Sequence, residues 1–337
     1  MNPKIYFVYM SNREVSSPNS CTTLWNDLAW SIKDKIKGNS EVLTAQDIDM
    51  VSNGDIVVNS YACHPSNTVF IFDGSSYYES ILLYKGFQGI NYSWARDLAS
   101  NRLFTMNFLK DSGLRVPDFT LSKWRNPPSI VRSVTERFRE TKYFTSIEEW
   151  NEFKIGKALK YLMFQHIKNR IQCDYKIYTF LGKIILGILL RVNPKYNSFT
   201  PDTDNFITVP IYPPIGFDDM MITLKSSEPM YGKKLKEEWR YLNTDEKEVI
   251  RDAFAQENIS LSNGKVDIDT DTFAPARIAL KTSELMNLGL AEVQIVTDML
   301  KVPHVLDVSG HDVNSDVSLR FYCSNMCSFL AKRVAFE

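Results

Sequence analysis

Two stretches of the chain place charge where a pleated strand would bury apolar side chains: residues 161–191 (YLMFQHIKNRIQCDYKIYTFLGKIILGILLR) and residues 288–310 (LGLAEVQIVTDMLKVPHVLDVSG). Each reads as a β-hairpin. A two-residue turn at Gly182 and Lys183 sets Asp174 opposite Arg191, and period-two alternation adds Lys176 to the same face. One acid and two bases then converge on an otherwise apolar ribbon. In the second stretch a four-residue turn from Lys301 to His304 sets Asp298 opposite Asp307, with Ser309 following on that face. Like charges facing each other across strands destabilise a sheet unless a cation sits between them. Oxygen ligands of this kind suit Mg²⁺, which is often held by one or two carboxylates together with substrate phosphates. Registers shifted by one residue would instead make these ordinary exposed charges.

The elements that must position these residues follow from the rest of the pattern. The first hundred residues alternate strand-like and helix-like segments: KIYFVYM, then TLWNDLAWSIKDKI, DIVVNS, VFIFDG and a helix over residues 75–85. That alternation predicts an open α/β layer. A helix is predicted to open near Ala99 and to stop at Gly113, with Pro117 shortly beyond. SIVRSV and KYF read as strands, and SIEEWNEF as a short helix opened by a capping box of Ser146 and Glu149. A Pro-, Tyr-, Asn- and Asp-rich stretch ending near Pro214 reads as an ordered loop. KKLKEEWRYLNTDEKEVIRDAFAQE reads as a charged helical segment broken at NTDE, its charge run a solvated face. Pro275 opens a further helix that leads into the second hairpin.

Composition narrows the function classes. With 337 residues the chain can form two or three packed subdomains. Lys and Arg number 39 against 40 Asp and Glu, a balance that argues against a dedicated nucleic-acid surface. No apolar run approaches a membrane span, and the N-terminus lacks the apolar core and cleavage site of a signal peptide, so a cytoplasmic protein is expected. Five cysteines at irregular positions give no disulfide framework. Cys323 and Cys327 share a helix face as buried thiols, and Cys63 beside His64 is a loop coincidence. Neither a metal cluster nor a catalytic triad suggests itself among His64, His166, His304 and His311, and GxSxG, Walker and GxGxxG motifs are absent.

Taken in order, the α/β layer, the NRLFTMNFLKDSGLRVPDF helix, a strand bearing a basic residue, an apolar strand into a hinge, a charged hairpin, a helix ending in LGL and an acidic hairpin resemble the ATP-grasp superfamily. The resemblance is greatest to the ribosomal-protein glutamate ligases and glutathione-synthetase-like peptide ligases, and it spans residues 101–310. It implies an α/β (α+β) ATP-grasp fold. Residues 1–100 would be a pre-grasp domain, 101–160 the small lid subdomain, and 161–337 the C-terminal grasp subdomain with an insertion at about 193–274. The resemblance places ATP phosphates at Arg102 and Arg132, where the family has lysines. Adenine would be read at the hinge Met163, Phe164, Gln165, His166 and Ile167. Asp174 would lie next to the nucleotide, Lys176 and Arg191 would contact phosphate or acylphosphate, and Asp298, Asp307 and Ser309 would hold Mg²⁺. VTERFRETKYF lacks the glycine-rich lid of many relatives, and Arg137 and Arg139 stand there instead. The implied activity is an ATP-dependent ligase that activates a carboxylate, on a small molecule or a peptide, for attack by an amine. A kinase acting on an alcohol and a non-catalytic scaffold are the rival readings. No nucleic-acid or membrane partner is expected, and a homodimer is left open.

Overall fold

A computed structural model of the chain describes residues 5–9, 40–44, 68–71, 88–121, 129–134, 141–144, 148, 162–166, 171–180, 182–192, 206–212, 215–216, 221–225, 235–238, 241–262 and 265–310. The helices expected at 23–36, 75–85 and, apart from Glu148, 146–153 lie outside them. So do the DIVVNS strand, Cys63, His64, Arg137, Arg139, Ile167, His311, Cys323 and Cys327.

The amino-terminal strands β1 (Ile5–Tyr9), β2 (Ser40–Thr44), β3 (Thr68–Ile71) and β4 (Gln88–Ile90) form a sheet in the order β2-β1-β3-β4, with every pair parallel. This is the open α/β layer that strand and helix alternation predicts. Two helices follow, α1 (Ser93–Ser100) and α2 (Arg102–Asp111), where the sequence predicts one. Asn101 between them is extended (φ −106°, ψ 95°), and its side chain accepts the Phe104 N–H at 3.2 Å as the cap of α2. Gly113 ends α2 at φ 81°, with its N–H donated to the Lys110 carbonyl.

A second, antiparallel sheet contains β5 (Asp118–Thr120), β6 (Ser129–Ser133), β7 (Thr141–Phe144) and β8 (Leu162–His166) in the order β5-β8-β6-β7. The strand β8 closes this sheet between β5 and β6. The third and largest sheet has the order β14-β13-β11-β10-β9-β17-β18. Its members are β9 (Ile171–Phe180), β10 (Lys183–Val192), β11 (Phe206–Tyr212), β13 (Met221–Lys225), β14 (Leu235–Glu238), β17 (Leu290–Asp298) and β18 (Pro303–Ser309). Three short strands, β12 (Ile215–Gly216), β15 (Ser260–Ser262) and β16 (Lys265–Asp267), pair separately.

Two expectations for the insertion are corrected. The stretch before Pro214 contains β11, and KKLKEEW contributes β14 rather than a first helix. Among the described residues there, α3 (Thr244–Gln256) is the one α-helix, opened at Asn243 by a reciprocal capping box with Glu246. The helix α4 (Ala274–Leu285) opens one residue before the predicted start, with Pro275 in its first turn, where proline forfeits no intrahelical bond. It packs on β9 and β17 through Ala276, Ala279 and Ser283, whose small side chains allow close approach, and the Ser283 and Thr179 hydroxyls meet at 2.6 Å. Tyr175, Ile177, Ile188, Leu190, Val293 and Ile295 of β9, β10 and β17 are buried with Ile250 and Phe254 of α3 in the same core. Asn91, just before α1, ties this core to the preceding chain. Its amide donates to the carbonyls of Leu290 (2.6 Å) and Gly310 (3.0 Å), and its oxygen accepts the Leu290 N–H (2.9 Å).

Candidate nucleotide site

The first hairpin presents its charges as the sequence predicts, by a different route. Strand β9 ends at Phe180, paired to Lys183, and Gly182 takes the turn at φ 74°. An irregularity between Lys183 and Gly187 then shifts the pairing, so that Asp174 still faces Arg191. The Arg191 guanidinium donates to Asp174 Oδ2 at 2.9 Å, and the carboxylate is fully buried.

The second hairpin differs from expectation. Asp298 is not opposite Asp307. Its Oδ1 accepts the N–H groups of Leu300 (2.9 Å) and Val302 (3.0 Å), closing the turn locally as Asp side chains do, while Lys301 supplies the left-handed residue (φ 58°). Its other oxygen lies 3.5 Å from His304 Nε2. The turn therefore falls before Pro303 instead of spanning Lys301 to His304, and with a bulge between Gln294 and Ile295 the partner of Asp307 moves by four residues, from Asp298 to Gln294. Gln294 is the residue opposite Asp307, and Glu292 the residue opposite Ser309.

These corrected registers assemble one chain of contacts across four strands of the large sheet and onto the second sheet. Arg102, the first residue of α2, grips Asp307 through Nε (3.0 Å to Oδ1) and NH2 (3.0 Å to Oδ2). Its NH1 donates to the Ser133 carbonyl at 3.0 Å, anchoring it to β6. Arg132, from β6, reaches Asp307 Oδ2 at 3.1 Å, the Gln294 oxygen at 3.4 Å and the Leu306 carbonyl at 3.3 Å. The Gln294 amide donates to Asp174 Oδ2 at 2.8 Å, which completes the line to Arg191. Beside it Lys176 pairs with Glu292 at 2.8 Å. Burial alone would raise the Asp307 pKa, but the Arg132 and Arg102 charges outweigh it and hold the carboxyl below its ordinary value.

Of the residues singled out in the sequence, Arg102, Arg132, Asp174, Lys176, Arg191 and Asp307 thus lie in one contiguous polar cluster. Asp298 belongs to the hairpin turn. Gln294 and Glu292 are members the sequence reading missed. Their signal was present as polar residues at every second position of AEVQIV, but the assumed register placed other residues opposite Asp307. The hinge divides: Met163 and Gln165 are buried and His166 half-buried, while Phe164 is described only as backbone in β8. Gln165 pairs with Ile130, and Met163 with Arg132, so all four share one face of the second sheet. Among the described residues, neither polar atom of the fully buried Gln165 amide has a hydrogen-bond partner.

The donor set tests poorly against a protein-held Mg²⁺. Asp298 is committed to its turn, Asp307 has both oxygens on arginines, and its cross-strand neighbour is a neutral amide. Among the described residues no three His, Cys, Asp or Glu side chains converge on a common point.

No protein-family model matches the sequence, and no curated protein does. Solved structures do match over the whole chain. The ATP-grasp ligase PsnB complexed with minimal precursor, Mg and ADP superposes with a TM-score of 0.53 at 10% identity, covering 99% of each chain. PsnB complexed with precursor peptide PsnA2 and AMPPNP gives 0.51 at 11%, covering 99% of this chain and 98% of that one. The likeness extends over the whole chain, and this chain has the ATP-grasp fold.

Proposed function

We propose that the chain is an ATP-dependent ligase that converts a carboxylate to an acylphosphate for attack by an amine, with a peptide as the first substrate class to test. The observation that carries this reading is the cluster in which Arg191 stands on the buried Asp174, and Arg102 and Arg132 on the part-buried Asp307. ATP-grasp ligases of the same fold are complexed with nucleotide and precursor peptide. Three guanidinium groups held in place before substrate arrives can stabilise charge on a transferring phosphoryl group without reorganising. Arg102 and Arg132, whose planar forks suit phosphate oxygens, would take the nucleotide phosphates. Arg191, oriented by Asp174, would hold the acylphosphate, and Lys176, oriented by Glu292, the incoming carboxylate. The buried Gln165 amide lies on the same sheet face as Arg132, where the adenine hinge is expected. The chemistry requires no side-chain nucleophile. Magnesium, present with ADP in the PsnB structure, would enter as a counter-ion of the nucleotide.

The test is incubation with ATP and a panel of peptides, amino acids and polyamines, followed by ADP, phosphate and product mass. Ligation releases ADP and phosphate with a product lighter by one water than its two substrates. A product that retains the phosphate would indicate a kinase, and ATP turnover unaffected by Arg191→Met would remove Arg191 from the site.

A further inference from the structure

We infer that this chain neutralises its nucleotide with arginine where a carboxylate pair would otherwise hold a divalent cation, and that the described residues of this cleft form no metal seat of their own. The inference rests on the reading of the cleft as a nucleotide site. A cation between β17 and β18 needs anionic oxygens converging from both strands. Here β18 supplies Asp307 and β17 supplies Gln294, whose oxygen faces Arg132 and whose amide faces Asp174. Arg102 and Arg132 occupy both Asp307 oxygens with fixed, permanently charged forks at 3.0 to 3.2 Å. Among the described residues the line sets three arginines beside two aspartates. Lys176 and Glu292 beside it cancel. A divalent cation approaching this cleft in the free protein therefore meets a carboxylate already saturated by two arginines, whereas a polyphosphate meets two guanidinium groups that it can share with Asp307 or take from it.

One group argues the other way. Glu292 Oε2 is buried without a hydrogen-bond partner. It lies diagonally from Asp307 across the pair, a separation that long side chains can bridge. A cation seated there would contradict the inference, so the experiment includes it.

Two titrations of the full chain decide the matter. Mn²⁺ added to the nucleotide-free protein, followed by electron paramagnetic resonance of the unbound ion, is expected to show no stoichiometric binding. ADP followed by calorimetry is expected to bind in EDTA with an affinity less than tenfold weaker than in Mg²⁺. Stoichiometric Mn²⁺ uptake that disappears in Glu292→Gln, or a loss of tenfold or more in EDTA, would overturn the inference while leaving the nucleotide site intact. Absence of ADP binding in both buffers would overturn the nucleotide reading itself. Gln294→Glu, which sets a second carboxylate opposite Asp307, is expected to gain Mn²⁺ binding; if it folds and gains none, Gln294 is not what denies the cation a seat.

Discussion

Replacing Asp307 with asparagine keeps the side chain's shape and removes the charge that holds Arg102 and Arg132 together. Breaking one side of a buried ion pair costs about 3–5 kcal/mol, because the remaining charge is left uncompensated. Here the carboxylate is 16% exposed and the Arg102 side chain 12%, so water relieves part of the penalty. A loss at the lower end, about 3 kcal/mol, is expected. With an unfolding entropy of about 2.1 cal/mol/K per residue over the chain, that lowers Tm by about 4 °C. Arg102→Met alone is expected to cost less than Asp307→Asn, since Arg132 still neutralises the carboxylate. The Arg102→Met and Asp307→Asn changes together are expected to cost less than their sum, because the double variant no longer sets two guanidinium groups side by side. Urea and thermal melts of the three variants supply the numbers. A Tm change below about 1 °C for Asp307→Asn, or strict additivity in the double variant, would refute the claim that Asp307 bridges the two arginines.

Acid titration of stability should carry the same signature. The Asp307 pKa is held below its unfolded value, so its contribution is present above about pH 4 and is lost as pH falls through the folded value. Denaturant melts between pH 3 and 6 should show a shallower acid slope in Asp307→Asn than in the parent, and equal slopes would exclude Asp307 as the linked group. Asn91→Ala should destabilise the chain by about 2–3 kcal/mol, since it removes three hydrogen bonds and leaves the buried Leu290 N–H without its partner. A cost under about 0.5 kcal/mol in urea would show that Asn91 does not staple the preceding chain to β17.

Much of the fold was legible because local rules agree with the tertiary outcome. The parallel amino-terminal layer, the stop at Gly113, the helix opened by Pro275 and both hairpins follow from periodicity, turn residues and caps, which neighbouring residues decide among themselves. Asp174 facing Arg191 was also predicted, although the pairing near the turn is irregular and returns to the expected register only at Gly187. The sequence misplaced what depends on competition between local and distant partners. Asp298 prefers the backbone N–H groups of its own turn to a partner across the strand, and that preference moves the register by four residues. It puts Gln294, a residue with no charge to attract notice, at the centre of the cluster. The β11 strand was missed although FITVPIY is rich in strand formers, because its Pro210 and the Pro-, Asn- and Asp-rich residues around it read as loop, and β14 was missed because LKEE carries weak strand propensity that pairing with β13 outweighs. The residue types that could handle phosphate were thus set by the sequence. Which of them meet was decided only when the second sheet docked on the large one and Arg132 reached both Asp307 and Gln294, a contact between residues more than 160 positions apart that no local pattern encodes.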